Sequence, residues 1–201
     1  MRKFTLIWLV LLCGGTIVAQ PVQATGPDVQ TLFEQLKGRN TSAKAADELA
    51  KLGKENAGVR KYLSNNLPAL LENVSPGPVW LNAVRLAGDL KLEDTVSQLA
   101  AFLQQQNTMV GGRGDITFAQ VMRLDIDPAG KALVQIGEPS VGPVTKLLEN
   151  ADRNVRWRAA LVLLNIGSPT AIQALRSHIP KEKDPGLKQL MASPLRHNSA
   201  K

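Results

Sequence analysis

The chain has a single cysteine, Cys13, and it lies inside an apolar N-terminal leader, so the body of the protein carries no thiol. Disulfides, a thiolate nucleophile and cysteine metal ligands are excluded with it. Histidine is almost as scarce: His178 and His197 are the only two, and both fall in the last quarter of the chain. No nucleophile–base–acid set can be assembled around them. No His-x-x-x-His or other clustered ligand spacing occurs, which leaves a transition metal without a site. Aromatic residues amount to 4% of the chain, too few for the stacking platform of a nucleic-acid or sugar groove. No catalytic, cofactor-binding or metal-binding residue is therefore expected, and nucleic acid is an unlikely partner.

Shorter motifs add little. Asp125-Ile-Asp127 places two carboxylates two residues apart, but the alternating oxygen ligands and distal glutamate of a calcium loop are missing. The plainer reading makes Asp127 the N-cap of a helix beginning at Pro128. Arg113-Gly114-Asp115, an integrin-type tripeptide, sits in a glycine-rich stretch and is short enough to arise by chance. Asn40-Thr41-Ser42 and Asn73-Val74-Ser75 are glycosylation sequons that matter only in a host that uses them.

The N-terminus reads as a secretory signal peptide over residues 1–24. Met1-Arg2-Lys3 precedes an uncharged, mostly apolar run from Phe4 to Val18, shorter than the roughly 20 residues a membrane span prefers. Cleavage after Ala24 or after Ala19 satisfies the small-residue rule, and an uncleaved anchor is the competing reading. Leu12 before Cys13 disfavours lipid attachment. The mature protein is expected to be exported, periplasmic or secreted, with no transmembrane span after signal cleavage.

Positive charge is unevenly spread. Residues 25–150 hold 13 basic and 14 acidic side chains, whereas residues 151–201 hold 9 and 3. The surplus is the C-terminal end, where Arg153, Arg156, Arg158, Arg176, Lys181, Lys183 and Lys188 gather. Arg156 and Arg158 are two apart and cannot share one helix face.

What the chain does have is a repeated phrase. Lys131-Ala-Leu-Val-Gln-Ile-Gly137 is followed by Glu138-Pro139 and an aliphatic segment to Leu148, and Arg158-Ala-Ala-Leu-Val-Leu-Leu-Asn-Ile-Gly167 by Ser168-Pro169 and another to Leu175. The two Ile-Gly pairs stand thirty residues apart, the period of a helix pair. Ala159, Ala160, Val162, Leu163 and Ile166 recur at helical three- and four-residue steps and make one apolar face. Gly167 suits a left-handed helix stop, and Ser168-Pro169 a cap and first position for the next helix. Gly137-Glu138-Pro139 is expected to do the same, with Glu138 a poorer cap.

Earlier segments fit the same phrase. Ala45, Ala46, Leu49, Leu52 and Gly53 match the 159–167 pattern, with Val59, Tyr62, Leu63 and Leu67 on the partner helix and Pro68-Ala-Leu-Leu-Glu72 as extra helix or a longer corner. After the break Ser75-Pro-Gly-Pro78, residues Val79, Ala83, Val84, Ala87 and Leu90 match again, with Lys91 where glycine is expected. Val96, Leu99, Phe102 and Leu103 make the partner. Val29, Leu32, Phe33 and Leu36 form an N-terminal cap helix, after which Thr41 or Ser42 caps the next. Residues 184–192 read as a lid with Asp184 as cap, Pro185 at the first position and Leu187, Leu190 and Met191 facing the core.

This pattern of small-small-x-x-aliphatic-x-x-aliphatic-Gly, a turn and an aliphatic helix resembles HEAT repeats, in particular the short type also found in phycobilin lyases. The resemblance implies an all-α fold, a right-handed α-solenoid of antiparallel helix pairs spanning residues 25–192. It implies about four repeats plus caps, an irregular loop at 104–127 and a disordered tail at 193–201. It also implies that Asp152 and Arg156, near a repeat start, tie neighbouring repeats together.

The expected function is that of an exported, non-catalytic scaffold or adaptor that binds another protein. Arg60, Lys61, Gln98, Lys146, Gln173 and Arg176, on successive second helices, are the candidate contacts. Trp80 and Trp157 are read as packing between repeats before interface anchors. An anionic surface, such as lipid headgroups or an acidic glycan, engaged through Arg176, Lys181, Lys183 and Lys188, is the alternative. A lyase-like enzyme, by family analogy, is the second alternative.

Overall fold

The computed structural model describes residues 28–105 and 127–197. The leader, nearly all of the irregular 104–127 stretch with its Arg113-Gly114-Asp115, and residues 198–201 lie outside the described residues. Ten α-helices and no strand occur among the described residues. A short cap helix α1 (Val29–Leu36) precedes α2 (Ser42–Glu55), α3 (Ala57–Asn73), α4 (Pro78–Asp89) and α5 (Val96–Gln105). Beyond the undescribed stretch come α6 (Pro128–Ile136), α7 (Val141–Lys146), α8 (Arg153–Ile166), α9 (Pro169–His178) and α10 (Pro185–His197).

These helices form two layers. In the first, α1 packs on α2, α2 on α4, α4 on α6, α6 on α8 and α8 on α10. In the second, α3, α5, α7 and α9 follow one another in the same order, and α10 closes on α9. Between the layers α2 packs on α3, α5 on α6, and α8 on both α7 and α9, the neighbour-to-neighbour contact pattern of an α-solenoid. The final helix runs to His197, past the boundary expected at 192.

The first layer is built on the small residues of the repeated phrase. Ala45, Ala46, Ala83, Ala87, Ala132, Ala159 and Ala160 are at most 1% exposed, which lets helix axes approach closely. Gly88 marks the tightest approach, since a Cβ there would lie 3.0 Å from the Cα of Ala132 on α6. The second layer supplies the larger aliphatics Leu63, Leu67, Leu71, Leu99 and Leu103, all buried. Trp80 and Trp157 are each 2% exposed and serve packing. The Trp80 ring lies 4.8 Å from that of Phe102 on α5, and Trp157 lies beneath the guanidinium of Arg153.

Helix ends show where the phrase reads true and where it departs. Gly167 adopts φ 63°, ψ 7°, and Ser168 then accepts the Ala171 N–H at 3.2 Å with Pro169 at the first position. Asp127 and Asp184 cap α6 and α10 through the N–H groups of Gly130 and Leu187. Gly137, however, takes φ 84°, ψ −130° and leads into a 3₁₀ turn at Glu138–Ser140, so Glu138 is not a cap. Thr41 and Ser42 do not cap α2 either: Thr41 Oγ1 donates back to the Gln35 carbonyl, and Ser42 Oγ accepts from Asn82 Nδ2 on α4.

Three more positions differ from the simple phrase. Gly53 does not end α2; it sits inside the helix, where a Cβ would lie 2.6 Å from Leu90 Cδ1. Pro68 lies inside α3, which takes the extra-helix alternative and continues to Asn73 with Leu70 and Leu71 buried beyond it. Packing of that face outweighs the hydrogen bond a mid-helix proline removes. Lys91 takes φ 52° where glycine is expected. Around it, Leu92 N–H bonds the Ala87 carbonyl at 2.9 Å and Lys91 N–H that of Gly88 at 3.1 Å, the paired bonds of a Schellman stop.

Candidate functional site

Charged residues at the starts of the later first-layer helices come together in the structure, and their partners are mostly internal. Arg156, on α8, makes a bidentate pair with Glu182 at 2.8 and 3.1 Å and also donates to the carbonyls of Asn150 and Ala151. The Glu182 side chain is 1% exposed and accepts the N–H groups of Lys183 and Asp184 as well. Burial raises the carboxyl's proton affinity, but Arg156 and these two N–H groups hold it below its ordinary range. Arg153 pairs with Asp184 at 2.6 and 3.2 Å, and its own guanidinium is raised chiefly by that hydrogen bond. Arg158 is lowered by burial, against the opposing fields of Asp127 and Asp152.

Asp152 accepts the Asn154 N–H at 2.8 Å, capping α8. The tying role that the resemblance implied is visible for Arg156, which reaches across to the corner before α10, whereas Asp152 caps the first helix of its own repeat. His178 is buried beside this cluster, its Nε2 3.9 Å from Glu182, and burial is the main cause that lowers its proton affinity. The group is a structural clasp between the α8–α9 pair and the start of α10.

Among the candidate contact residues, Arg60 and Lys61 line an open groove of about 680 Å³ between α3 and the segment 89–94. Arg60 is tethered there, donating to the Gly53 carbonyl at 3.1 Å and that of Lys54 at 3.5 Å. Gln98 is half-buried and donates to Glu72 at 2.7 Å, tying α5 to α3. Lys146, Gln173 and Arg176 are exposed on α7 and α9. Lys181 lies 3.6 Å from Glu149, while Lys183 is exposed and Lys188 half-buried.

The second-layer helices α7 and α9 leave a groove of about 610 Å³ between them, lined by Val141, Gly142, Thr145, Thr170, Gln173 and Ala174 among others. Sequence reasoning found Gln173 but missed the rest. Their only signal was a run of small side chains at three- and four-residue spacing on two adjacent second helices. Thr145 Oγ1 donates to the Val141 carbonyl at 2.7 Å, and the neighbouring Ser168 and Thr170 side chains hold the Glu138 carboxyl below the ordinary range. The groove surface is mainly methyl and methylene, with the Gln173 amide and the Thr170 and Ser177 hydroxyls on it. Among the described residues no group of three or more potential metal ligands is assembled, and no helix is long and apolar enough to cross a membrane.

Two stacked layers of antiparallel helices with a grooved second layer define an α-solenoid. Residues 128–196 match the family model described as HEAT repeats, which assigns HEAT repeats to that segment. No curated protein matches the chain. HEAT repeats commonly act as protein-interaction scaffolds and are typically non-catalytic.

Proposed function

We propose that this protein is an exported, non-catalytic HEAT-repeat scaffold that binds another protein along its second-layer helices. The observation that carries the reading is the α7–α9 groove, whose small side chains present mainly apolar surface beside Lys146, Gln173 and Arg176. A stacked array works by extended complementarity, each second helix adding a few side chains to one continuous face. Export rests on the basic start and apolar run of residues 1–24.

Crosslinking the tagged protein in its own host, beside a Gly142→Trp variant, tests the scaffold. A Cβ at Gly142 meets nothing within 4 Å, so the indole projects into the groove without disturbing the fold. One or two dominant protein partners, depleted in the variant, support the reading; an unchanged profile or no captured protein removes it. The intact mass of the recovered protein tests export, since retention of residues 1–24 contradicts signal cleavage.

Anionic-surface binding through the C-terminal end is the second reading. Arg176 and Lys183 remain exposed, but Arg153 and Arg156 are taken up by Asp184 and Glu182, which thins the basic cluster seen in sequence. A lyase-like enzyme gains no support from the geometry.

A further inference from the structure

The α7–α9 groove has a polarity that says more about its occupant. Its floor is mainly apolar, built by Val141, Gly142, Pro169, Ala174 and the methyl of Thr145, whose hydroxyl donates to the Val141 carbonyl. Glu138 stands in the turn that leads into α7, towards the N-terminal end of the groove. At the other end Lys146 follows Gly142 by one helical turn on α7, and Arg176 follows Gln173 by one turn on α9. Residues three and four apart are neighbours on a helix surface, so both cations flank the groove. Glu149, the acid nearest them in sequence, faces Lys181 at 3.6 Å.

We infer that the groove takes a segment of a partner protein with small aliphatic side chains, followed by acidic residues that meet Lys146 and Arg176. The inference rests on the scaffold reading and adds the chemistry and direction of the bound segment. An aliphatic stretch suits a floor that offers few donors or acceptors, since a polar segment there loses most of its water without replacement. The charged rim then sets register and speeds encounter. Acidic residues at the Glu138 end are repelled, so the segment lies in one direction only. The groove's volume falls within the range of clefts that hold ligand-sized groups, about 300–1,000 Å³.

The test is selection of a phage-displayed library of random twelve-residue peptides on the protein purified from its own host, with Gly142→Trp as the counter-selected variant. The expected result is a consensus of aliphatic residues beside Asp or Glu. Its binding is lost in Gly142→Trp and weakened about tenfold at low salt in Lys146→Glu/Arg176→Glu. Circular dichroism of both variants verifies that they remain folded. A basic or neutral consensus, no enrichment, or binding that survives Gly142→Trp overturns the inference. Phosphatidylglycerol vesicles form a parallel arm: charge-dependent vesicle binding that ignores Gly142→Trp, with no peptide consensus, assigns the basic end to a membrane surface instead. If peptides fail while in-cell crosslinking still captures a groove-dependent partner, only this inference falls; if both fail, the scaffold reading falls with it.

Discussion

Replacing Arg156 by alanine removes the partner of a carboxylate that is almost entirely buried. Glu182 is 1% exposed and Arg156 17%, so water cannot take over the lost interaction. Deleting one member of such a buried pair typically costs about 3–5 kcal/mol. Glu182 keeps two backbone donors, Lys183 and Asp184, which moderates the penalty, while the Asn150 and Ala151 carbonyls lose a donor. The expected loss is about 2–4 kcal/mol, shifted about 1 kcal/mol below that range by the remaining donors. Because repeats interact mainly with their neighbours, the loss should be local, with α8–α10 opening first. Urea unfolding followed by far-UV circular dichroism, together with hydrogen exchange of α8–α10, reads both amplitude and place. A double-mutant cycle with Glu182→Ala is expected to give a coupling of about 1.5–3 kcal/mol that persists in high salt, since buried pairs are poorly screened. The exposed Arg85–Asp47 pair, 47% and 64% exposed, provides the contrast at under about 1 kcal/mol. A change within about 0.5 kcal/mol for Arg156→Ala, the scatter of ordinary surface substitutions, would refute the clasp.

Three further expectations follow from particular residues. Lys91→Gly should stabilise the protein by about 0.5–1 kcal/mol in urea unfolding, because glycine adopts the left-handed conformation at φ 52° without strain. Gly88→Leu should destabilise by at least about 1–3 kcal/mol, since even its Cβ crowds the backbone of Ala132 and forces α4 from α6. Acidification should weaken the fold in two stages. His178 binds its proton less readily folded than unfolded, so stability present at neutral pH declines as pH falls below its ordinary value of 6.5. Glu182 and Asp184 are lowered, so their contributions hold above the ordinary values of 4.5 and 3.8 and disappear as pH falls through the folded values. Thermal unfolding across pH 3–8 should show both stages, with the first absent in His178→Leu.

The sequence was most legible where local chemistry and tertiary packing agree. Ala159, Ala160 and Leu163 are buried on one face, and Gly167, Ser168 and Pro169 make the turn their residue types favour. It was least legible where one residue type serves two physical ends. Gly53 stands where a helix stop is expected, yet its missing Cβ makes room for Leu90, a use that depends on a helix far along the chain. Lys91 does the reverse, taking a glycine conformation because the Leu92 side chain is buried just beyond the stop. The C-terminal charge surplus was visible as composition, but its division was not: Arg153 and Arg156 find Asp184 and Glu182 only once α10 folds back on α8. The α7–α9 groove was hidden for a related reason. Small side chains on two helices become a groove only when those helices lie side by side.

The central claim, that the second-layer face is where a partner protein binds, is tested most directly by placing a photo-crosslinking residue at two exposed positions in the native host. Gln173 lies on the second-layer face and Lys131 on first-layer helix α6. The account predicts that the same one or two polypeptides are captured from position 173 and not from position 131. Capture from position 131 alone, or equal yields from both faces, contradicts it.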